Sequence, residues 1–176
     1  LFDAGKKIFL KPQKRKVGYL FQNYALFPNM TVEQNIGIGF TGNKEDKQKM
    51  VEQLIHHFQL DGLEKLYPSN LSGGQQQRTA LARIMAYEPD VILLDEPFSA
   101  LDAYLRERML TELMEMLSDY EGTVIMVSHS RDEIYSFSEE VLVIEDGHGI
   151  RLGPVKEVFN APRYKTAARL TGCKNI

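Results

Sequence analysis

The amino-acid sequence predicts an α/β protein with a mostly parallel sheet, flanking helices and an α-helical subdomain. Two apolar runs, at residues 91–94 and 123–127, are rich in β-branched side chains, as in parallel strands that are buried on both faces. The helical pattern at 103–120 lies between them and predicts the crossover of a βαβ unit. Helical patterns at 31–88 predict the subdomain.

The elements before this unit begin with a short strand at 17–21, and the loop that leaves it is marked by Pro28 and Asn29. Thr31 is predicted to be the N-cap of a helix, because Gln34 occupies the capping-box position. Residues 44–60 have the spacing of an amphipathic helix. Its expected buried stripe consists of Val51, Leu54, Ile55 and Phe58.

A further helix is predicted from Ser72 to a stop before Pro89, since the residue preceding a proline is driven out of helical geometry. The crossover helix at 103–120 has its own apolar stripe, which we expect in the core. That stripe consists of Leu105, Met109, Leu113, Met116 and Leu117. A helix at 133–138, a strand at 141–144 and a turn at 147–149 complete the prediction.

Composition limits the class of protein. The 176 residues are 43% hydrophobic and 26% charged, which is typical of a soluble globular protein. The net charge of −3 provides no basic field for nucleic acid, and we interpret the lysines and arginines at 6–16 as a solvated loop. The single cysteine, Cys173, excludes an intrachain disulfide and fits a reducing compartment. The apolar runs are far shorter than the roughly 18 residues of a membrane-spanning helix.

The predicted helix at Ser72 begins with a pattern that favours anion binding. Ser72, Gly73, Gly74 and Gln75 place free backbone N–H groups at the positive end of a helix, and glycines allow a phosphate to approach the backbone. Taken alone, the same residues more often form an ordinary N-cap with a flexible lead-in.

Two carboxylates, Asp95 and Glu96, follow the strand at 91–94, at the sheet edge where open α/β sheets bind ligands. Since side chains alternate along a strand, we expect one to hold Mg²⁺ and the other to orient the water that attacks a phosphate. An isolated acidic pair is more often part of a solvated turn.

Two further polar residues follow predicted strands. His129 comes after the run at 123–127 and is expected at the same sheet edge as Asp95, where it can hydrogen-bond a γ-phosphate. Gln22 follows the strand at 17–21, and its amide oxygen can bind a metal or a water. A lone histidine after a strand more often has a structural role, and Gln22 by itself indicates no function.

Together these motifs resemble those of the ATP-binding cassette (ABC) ATPases, whose fold is of the P-loop NTPase type. The sequence LSGGQ at 71–75 matches the signature motif, 91–97 resembles the Walker B strand with the catalytic glutamate at Glu96, and 99–102, ending in Asp102, resembles the D-loop. Gln22 and His129 occupy the positions of the Q-loop glutamine and the switch histidine. The motif G-x-x-x-x-G-K-[ST] of the P-loop is absent, so we expect that the sequence starts inside a longer reading frame.

The resemblance implies a head-to-tail pair of cassettes with ATP and Mg²⁺ at the interface. Ser72, Gly73, Gly74 and Gln75 would bind the partner subunit's nucleotide. Gln22 and Asp95 as metal ligands, and Glu96 and His129 as catalytic residues, are expected to serve the chain's own nucleotide. Asp102 in the D-loop is a further expected nucleotide-binding residue. The implied division is an N-terminal core remnant with the Q-loop at 1–30, a helical subdomain at 31–88 and a RecA-like core at 89–176.

The segment at 24–32 resembles the region of importer cassettes that adjoins the membrane permease subunits, with an external solute-binding protein as an indirect partner. Residues 10–22 and 168–176 resemble molybdate and tungstate importers, and spermidine and sulfate systems look similar. The expected location is the cytoplasmic face of the membrane, as a peripheral subunit that binds no nucleic acid. The alternatives are a soluble cassette for DNA repair or translation, and a natural cassette without a P-loop that serves as a non-hydrolysing partner.

Overall fold

The computed structural model describes residues 2–99, 101–162 and 168. It contains seven strands and six α-helices in these residues. The described residues divide into two compact units, one within 1–97 and 118–125 and the other within 98–117 and 126–176. The three-part division that the sequence suggested stays a prediction.

The first unit starts with a two-stranded hairpin, β1 (Phe2–Asp3) and β2 (Ile8–Phe9), followed by strand β3 (Val17–Leu20). Three helices come next: α1 (Val32–Gly37), α2 (Lys44–His57) and α3 (Gly73–Met85). Strand β4 (Val91–Asp95) pairs in parallel with β3, with Leu20 opposite Leu94. Strand β5 (Thr123–Val127) lies on the other side of β4.

The capping boxes explain why α1 and α3 begin where they do. The Thr31 side chain accepts a hydrogen bond from the Gln34 amide, the Gln34 side chain accepts one from Thr31, and Ser72 and Gln75 repeat the pattern in α3. Both N-termini predicted from the sequence are therefore confirmed.

The core of the first unit lies where α1 packs on α2 and α3, and where α3 packs on β3. Gly18 permits this last contact, because a Cβ atom at its position would lie 2.2 Å from Cγ2 of Ile84. The predicted stripe of α2 is largely confirmed: Val51, Ile55 and Phe58 are buried, whereas Leu54 is half-buried.

The second unit consists of α4 (Ala103–Met116), α5 (Arg131–Phe137), the antiparallel hairpin β6 (Glu140–Glu145) and β7 (His148–Pro154), and α6 (Val155–Asn160). Val143 and Val158 form a small core against Val141 and Ile150. Strand β7 and helix α6 were not predicted.

Two burial predictions were wrong. Strand β5 is not buried on both faces, since Ile125 is 49% and Val127 56% exposed. Its only described neighbour in the sheet is β4. Leu105, which was expected in the core, is 37% exposed because it lies in the first turn of α4, whereas Met109, Leu113 and Leu117 are buried as predicted. Residues 169–176, including Cys173, lie outside the described part of the chain.

Candidate functional site

The beginning of α3 is open to ligands. Ser72 and Gly73 are exposed, and a Cβ atom built at Gly73 would meet no described atom within 4 Å apart from its chain neighbours and the backbone of its own helix. Packing in this chain therefore does not require the glycine. The capping box uses the N–H groups of Ser72 and Gln75, so the amides of Gly73 and Gly74 are the ones that an anion would meet at the positive end of the helix.

The loop before this helix is held in place by side chains of the helix itself. Nε2 of Gln76 donates to the carbonyl oxygens of Pro68 (3.1 Å) and Leu71 (3.2 Å). Within the first turns of the helix itself, the Thr79 hydroxyl donates to the carbonyl oxygen of Gln75 at 2.8 Å. A loop fixed in this way presents its amides without a large loss of conformational entropy on binding.

Asp95 ends β4, and the next residue turns the chain sharply. Glu96 has φ = 44°, a left-handed conformation that few non-glycine residues adopt. The carboxylates of Asp95 and Glu96 were expected to point in different directions, because side chains alternate along a strand. The strand ends at Asp95, however, so the direction of the Glu96 carboxylate is set by this turn.

The Asp95 carboxylate has a protein partner. The Tyr19 hydroxyl donates to its Oδ2 at 2.8 Å, and Tyr19 lies on β3. This hydrogen bond, with burial and the charge of Asp95 in addition, raises the pKa of Tyr19 above its ordinary value. The bond holds one carboxylate oxygen and leaves the other to a ligand.

Strands β3 and β4 are parallel, and their last paired residues are Leu20 and Leu94. Asp95 is the last residue of β4 and Gln22 follows β3, so both lie at the carboxyl end of the same sheet. No group of three or more His, Cys, Asp or Glu side chains suited to a metal occurs within 2–99, 101–162 and 168. Mg²⁺ in phosphoryl-transfer sites needs one or two protein oxygens besides water and phosphate. A carboxylate and an amide oxygen at one sheet edge therefore fit this ion.

Two residues that the sequence argument did not single out hold the loop after Gln22. Arg83, on α3, donates to the carbonyl oxygens of Ala25 (2.8 Å) and Tyr24 (3.1 Å), and burial lowers its pKa. Asn35, fully buried in α1, donates to the carbonyl oxygens of Phe27, Met30 and Thr31 and accepts from the Phe27 amide. The only signal in the sequence was the position of Asn35, a polar residue just after the apolar segment at 24–32.

The first unit thus contains most of the predicted site residues. They are Gln22, Ser72, Gly73, Gly74, Gln75, Asp95 and Glu96. The second unit contains Asp102 and His129. Asp102 is the N-cap of α4 and accepts a hydrogen bond from the Leu105 amide at 2.9 Å. His129 is exposed and lies two residues after the end of β5, whereas Ala100 of the D-loop segment lies outside the described residues.

No described helix is both long and apolar enough to cross a bilayer.

Comparison with known proteins identifies a family. Residues 4–99 match the family model of the ABC transporters. The chain is 39% identical to the Fe(3+) ions import ATP-binding protein of Fusobacterium nucleatum, over 95% of this chain and 46% of that protein. It is 40% identical to a probable sulfate/thiosulfate import ATP-binding protein of Chlorella vulgaris, over 94% of this chain and 71% of that protein. The molybdate/tungstate import ATP-binding protein of Thermococcus kodakarensis is also 40% identical, with coverages of 95% and 52%. The chain therefore spans about half the length of two of these relatives.

Solved structures support the same assignment. The cbiO1 protein of Clostridium perfringens, part of the cbiONQ ABC transporter complex, matches with a TM-score of 0.75 and 27% identity, over 92% of this chain and 65% of that chain. An ATP-binding cassette in a post-hydrolysis dimer with ADP and Pi matches with a TM-score of 0.65 and 28% identity, over 88% and 68%. With its LSGGQ helix and its strand ending in Asp95 and Glu96, the chain belongs to the ABC transporter family and has the corresponding ABC-type α/β fold.

Proposed function

We propose that this chain is the ATP-binding and ATP-hydrolysing part of an ABC importer, in which nucleotide-driven closure of a cassette dimer powers solute uptake. The observation that carries the proposal is the exposed start of α3, where no side chain of the described residues comes within 4 Å of a Cβ atom built at Gly73. A free helix N-terminus of this kind is suited to the phosphates of a nucleotide. Asp95 and Glu96, at the end of β4, supply the acidic groups that hydrolysis requires.

In the proposed mechanism each residue has a separate role. The amides of Gly73 and Gly74, with Ser72 and Gln75, bind the terminal phosphate of the nucleotide that the partner subunit holds. Asp95 and Gln22 would hold Mg²⁺, which would neutralise the phosphate charge when bound. Glu96 orients and deprotonates the attacking water. His129 hydrogen-bonds the γ-phosphate. Asp102, the N-cap of α4, contributes to nucleotide binding from the D-loop.

The proposed partners are a second cassette in head-to-tail arrangement and the permease subunits, with an external solute-binding protein acting through the permease. The chain would then be peripheral on the cytoplasmic face of the membrane. Phe27 is 42% and Ile38 38% exposed, and an open groove of about 420 Å³ runs beside Met30, Gln34 and Ile38. The groove is also lined by Asn29 and Lys47, so it combines polar and apolar side chains. Together with the exposed Phe27 next to the loop that Asn35 fixes, this open surface supports docking of a permease segment there.

An oxyanion, with molybdate tested first, is the proposed solute. Relatives named for Fe(3+), sulfate/thiosulfate, molybdate/tungstate and spermidine/putrescine are all 38–40% identical to this chain. Overall identity therefore does not distinguish among these solutes. The proposal rests on the resemblance of residues 10–22 and 168–176 to molybdate and tungstate importers.

The test of the proposed function is Glu96→Gln in the complete natural protein. We expect kcat for ATP hydrolysis to fall by a factor of about 10² or more, because the amide cannot take the proton of the attacking water. ATP binding should persist, and the closed dimer should accumulate. Glu121→Gln, which removes an exposed carboxylate, is the matched control and should leave turnover unchanged. Normal hydrolysis by Glu96→Gln would overturn the assigned role.

A further inference from the structure

Glu133 is a buried carboxylate that the proposed mechanism does not use. It lies in α5 and is 4% exposed. A buried carboxylate is costly unless it is paired, and this one has two partners. The Ser128 hydroxyl donates to its Oε2 at 2.5 Å, and Nε of Arg106 lies 3.5 Å from its Oε1.

The hydrogen bond between Ser128 and Glu133 also involves both neighbours of His129 in the sequence, Ser128 and Ser130. Ser128 Oγ, while donating to Glu133, accepts a hydrogen bond from the Ser130 amide at 2.9 Å. Ser130 is in turn the N-cap of α5, and its side chain accepts from the Glu133 amide at 3.5 Å. The backbone of His129 is thus held on both sides, while its side chain is exposed.

Arg106, the second partner of Glu133, also contacts the turn before α4. Nη2 of Arg106 donates to the carbonyl oxygen of Leu101 at 3.0 Å, and the Arg106 amide donates to the carbonyl oxygen of Asp102 at 2.9 Å. Since these residues and Glu133 all belong to the second unit, one carboxylate connects the turn at Leu101 and Asp102 with the residues around His129.

We propose that Glu133 is a positioning residue that couples the orientation of His129 to the turn at Leu101 and Asp102 through Ser128 and Arg106. The inference rests on the proposed function, because it concerns the orientation of His129, which that function places at the γ-phosphate. The contact with Ser128 is the shorter one, so loss of the Ser128 hydroxyl should disturb His129 more than a change at Arg106 does.

Two variants remove the connection in different ways. Ser128→Ala deletes the hydroxyl that joins Glu133 to the Ser130 amide. Glu133→Gln keeps the side-chain volume, but its amide has a single acceptor oxygen, so it cannot accept from the Ser128 hydroxyl and face Arg106 through two separate oxygens as the carboxylate does. Asp132→Asn removes an exposed carboxylate from the same helix and is the matched control, and Ser128→Thr restores a hydroxyl.

Hydrogen exchange and ATP turnover are measured on the complete natural protein. In Ser128→Ala and Glu133→Gln, we expect the Ser130 amide to exchange about tenfold faster. The kcat for ATP is expected to fall about tenfold at unchanged KM, because a small displacement of the histidine affects the chemical step rather than binding. Asp132→Asn and Ser128→Thr should behave as wild type.

Other results overturn the proposal. Faster exchange with unchanged kcat would show that Glu133 does not act on His129. Faster exchange throughout the second unit, with a parallel loss of thermal stability, would show a merely structural role. If the wild-type protein hydrolyses no ATP, the proposed function fails separately, and NMR of the His129 imidazole then decides. A signal shift in both variants supports the coupling, and an unchanged signal overturns it.

Discussion

Strands β4 and β5 have nearly the same kind of sequence and very different surroundings. In β4, Ile92 and Leu94 are at most 1% exposed, whereas in β5 Ile125 is 49% and Val127 56% exposed. β4 lies between β3 and β5, while the described neighbour of β5 is β4 alone. An apolar, β-branched run therefore predicts that a strand forms, but its burial depends on which elements cover it.

The largest effect is expected from a pair of truncations that compares the two strands directly. Leu94→Ala should lower the free energy of unfolding by about 2–5 kcal/mol, because it leaves a cavity in the core. Ile125→Ala should cost less than about 1 kcal/mol, because half of this side chain is already in water. Urea unfolding of both variants measures the difference. Equal costs would mean that β5 is covered in solution and that the contrast between the strands is false.

A second prediction concerns the loop after β3, the strand that pairs with the well-buried β4. Asn35→Ala should lower the free energy of unfolding by about 1–3 kcal/mol, because the carbonyl oxygens of Phe27, Met30 and Thr31 lose a common donor. Exchange of the Phe27 amide should also become faster, since that amide donates to Asn35. Asn23→Ala, at an exposed position of the same loop, is the control. Equal destabilisation by the two variants would contradict the assigned role of Asn35.

Features that depend on neighbouring residues were predicted from the sequence, whereas features that depend on distant parts of the chain were not. Thr31–Gln34 and Ser72–Gln75 were predictable because a capping box depends on residues three positions apart. Strand β7 was missed because it contains Gly149, Gly153 and Pro154, and antiparallel pairing with β6 outweighs these unfavourable residues.

In the candidate site, the residue types at the strand ends and at the start of α3 were predictable from local patterns. Their supports were not, because they depend on long-range contacts. Arg83 reaches Ala25 across 58 positions of sequence, and Tyr19 reaches Asp95 across 76. The turn at Glu96 was missed because the following Pro97 biases Glu96 towards extended geometry, whereas its φ is 44°.

The smallest expected effect comes from the contact that joins the starts of the two strands. The Tyr120 hydroxyl, just before β5, donates to the carbonyl oxygen of Pro89, just before β4, at 2.9 Å. Tyr120→Phe should therefore lower the free energy of unfolding by about 1 kcal/mol near neutral pH. Tyr104→Phe, at a side chain that is 78% exposed, is the control and should change nothing.

The pH dependence of the Tyr120 effect has a definite sign. Burial, and secondarily the charge of Asp90, raises the pKa of Tyr120 above its ordinary value of 10.0. A raised pKa means that the folded state retains the phenolic proton longer than the unfolded state, so the stabilisation is complete below pH 10.0 and is lost as the pH rises through the higher value. The difference between wild type and Tyr120→Phe in urea unfolding should therefore shrink above pH 10.0. A difference that stays constant with pH would show that the hydroxyl of Tyr120 does not hold the two strand starts together.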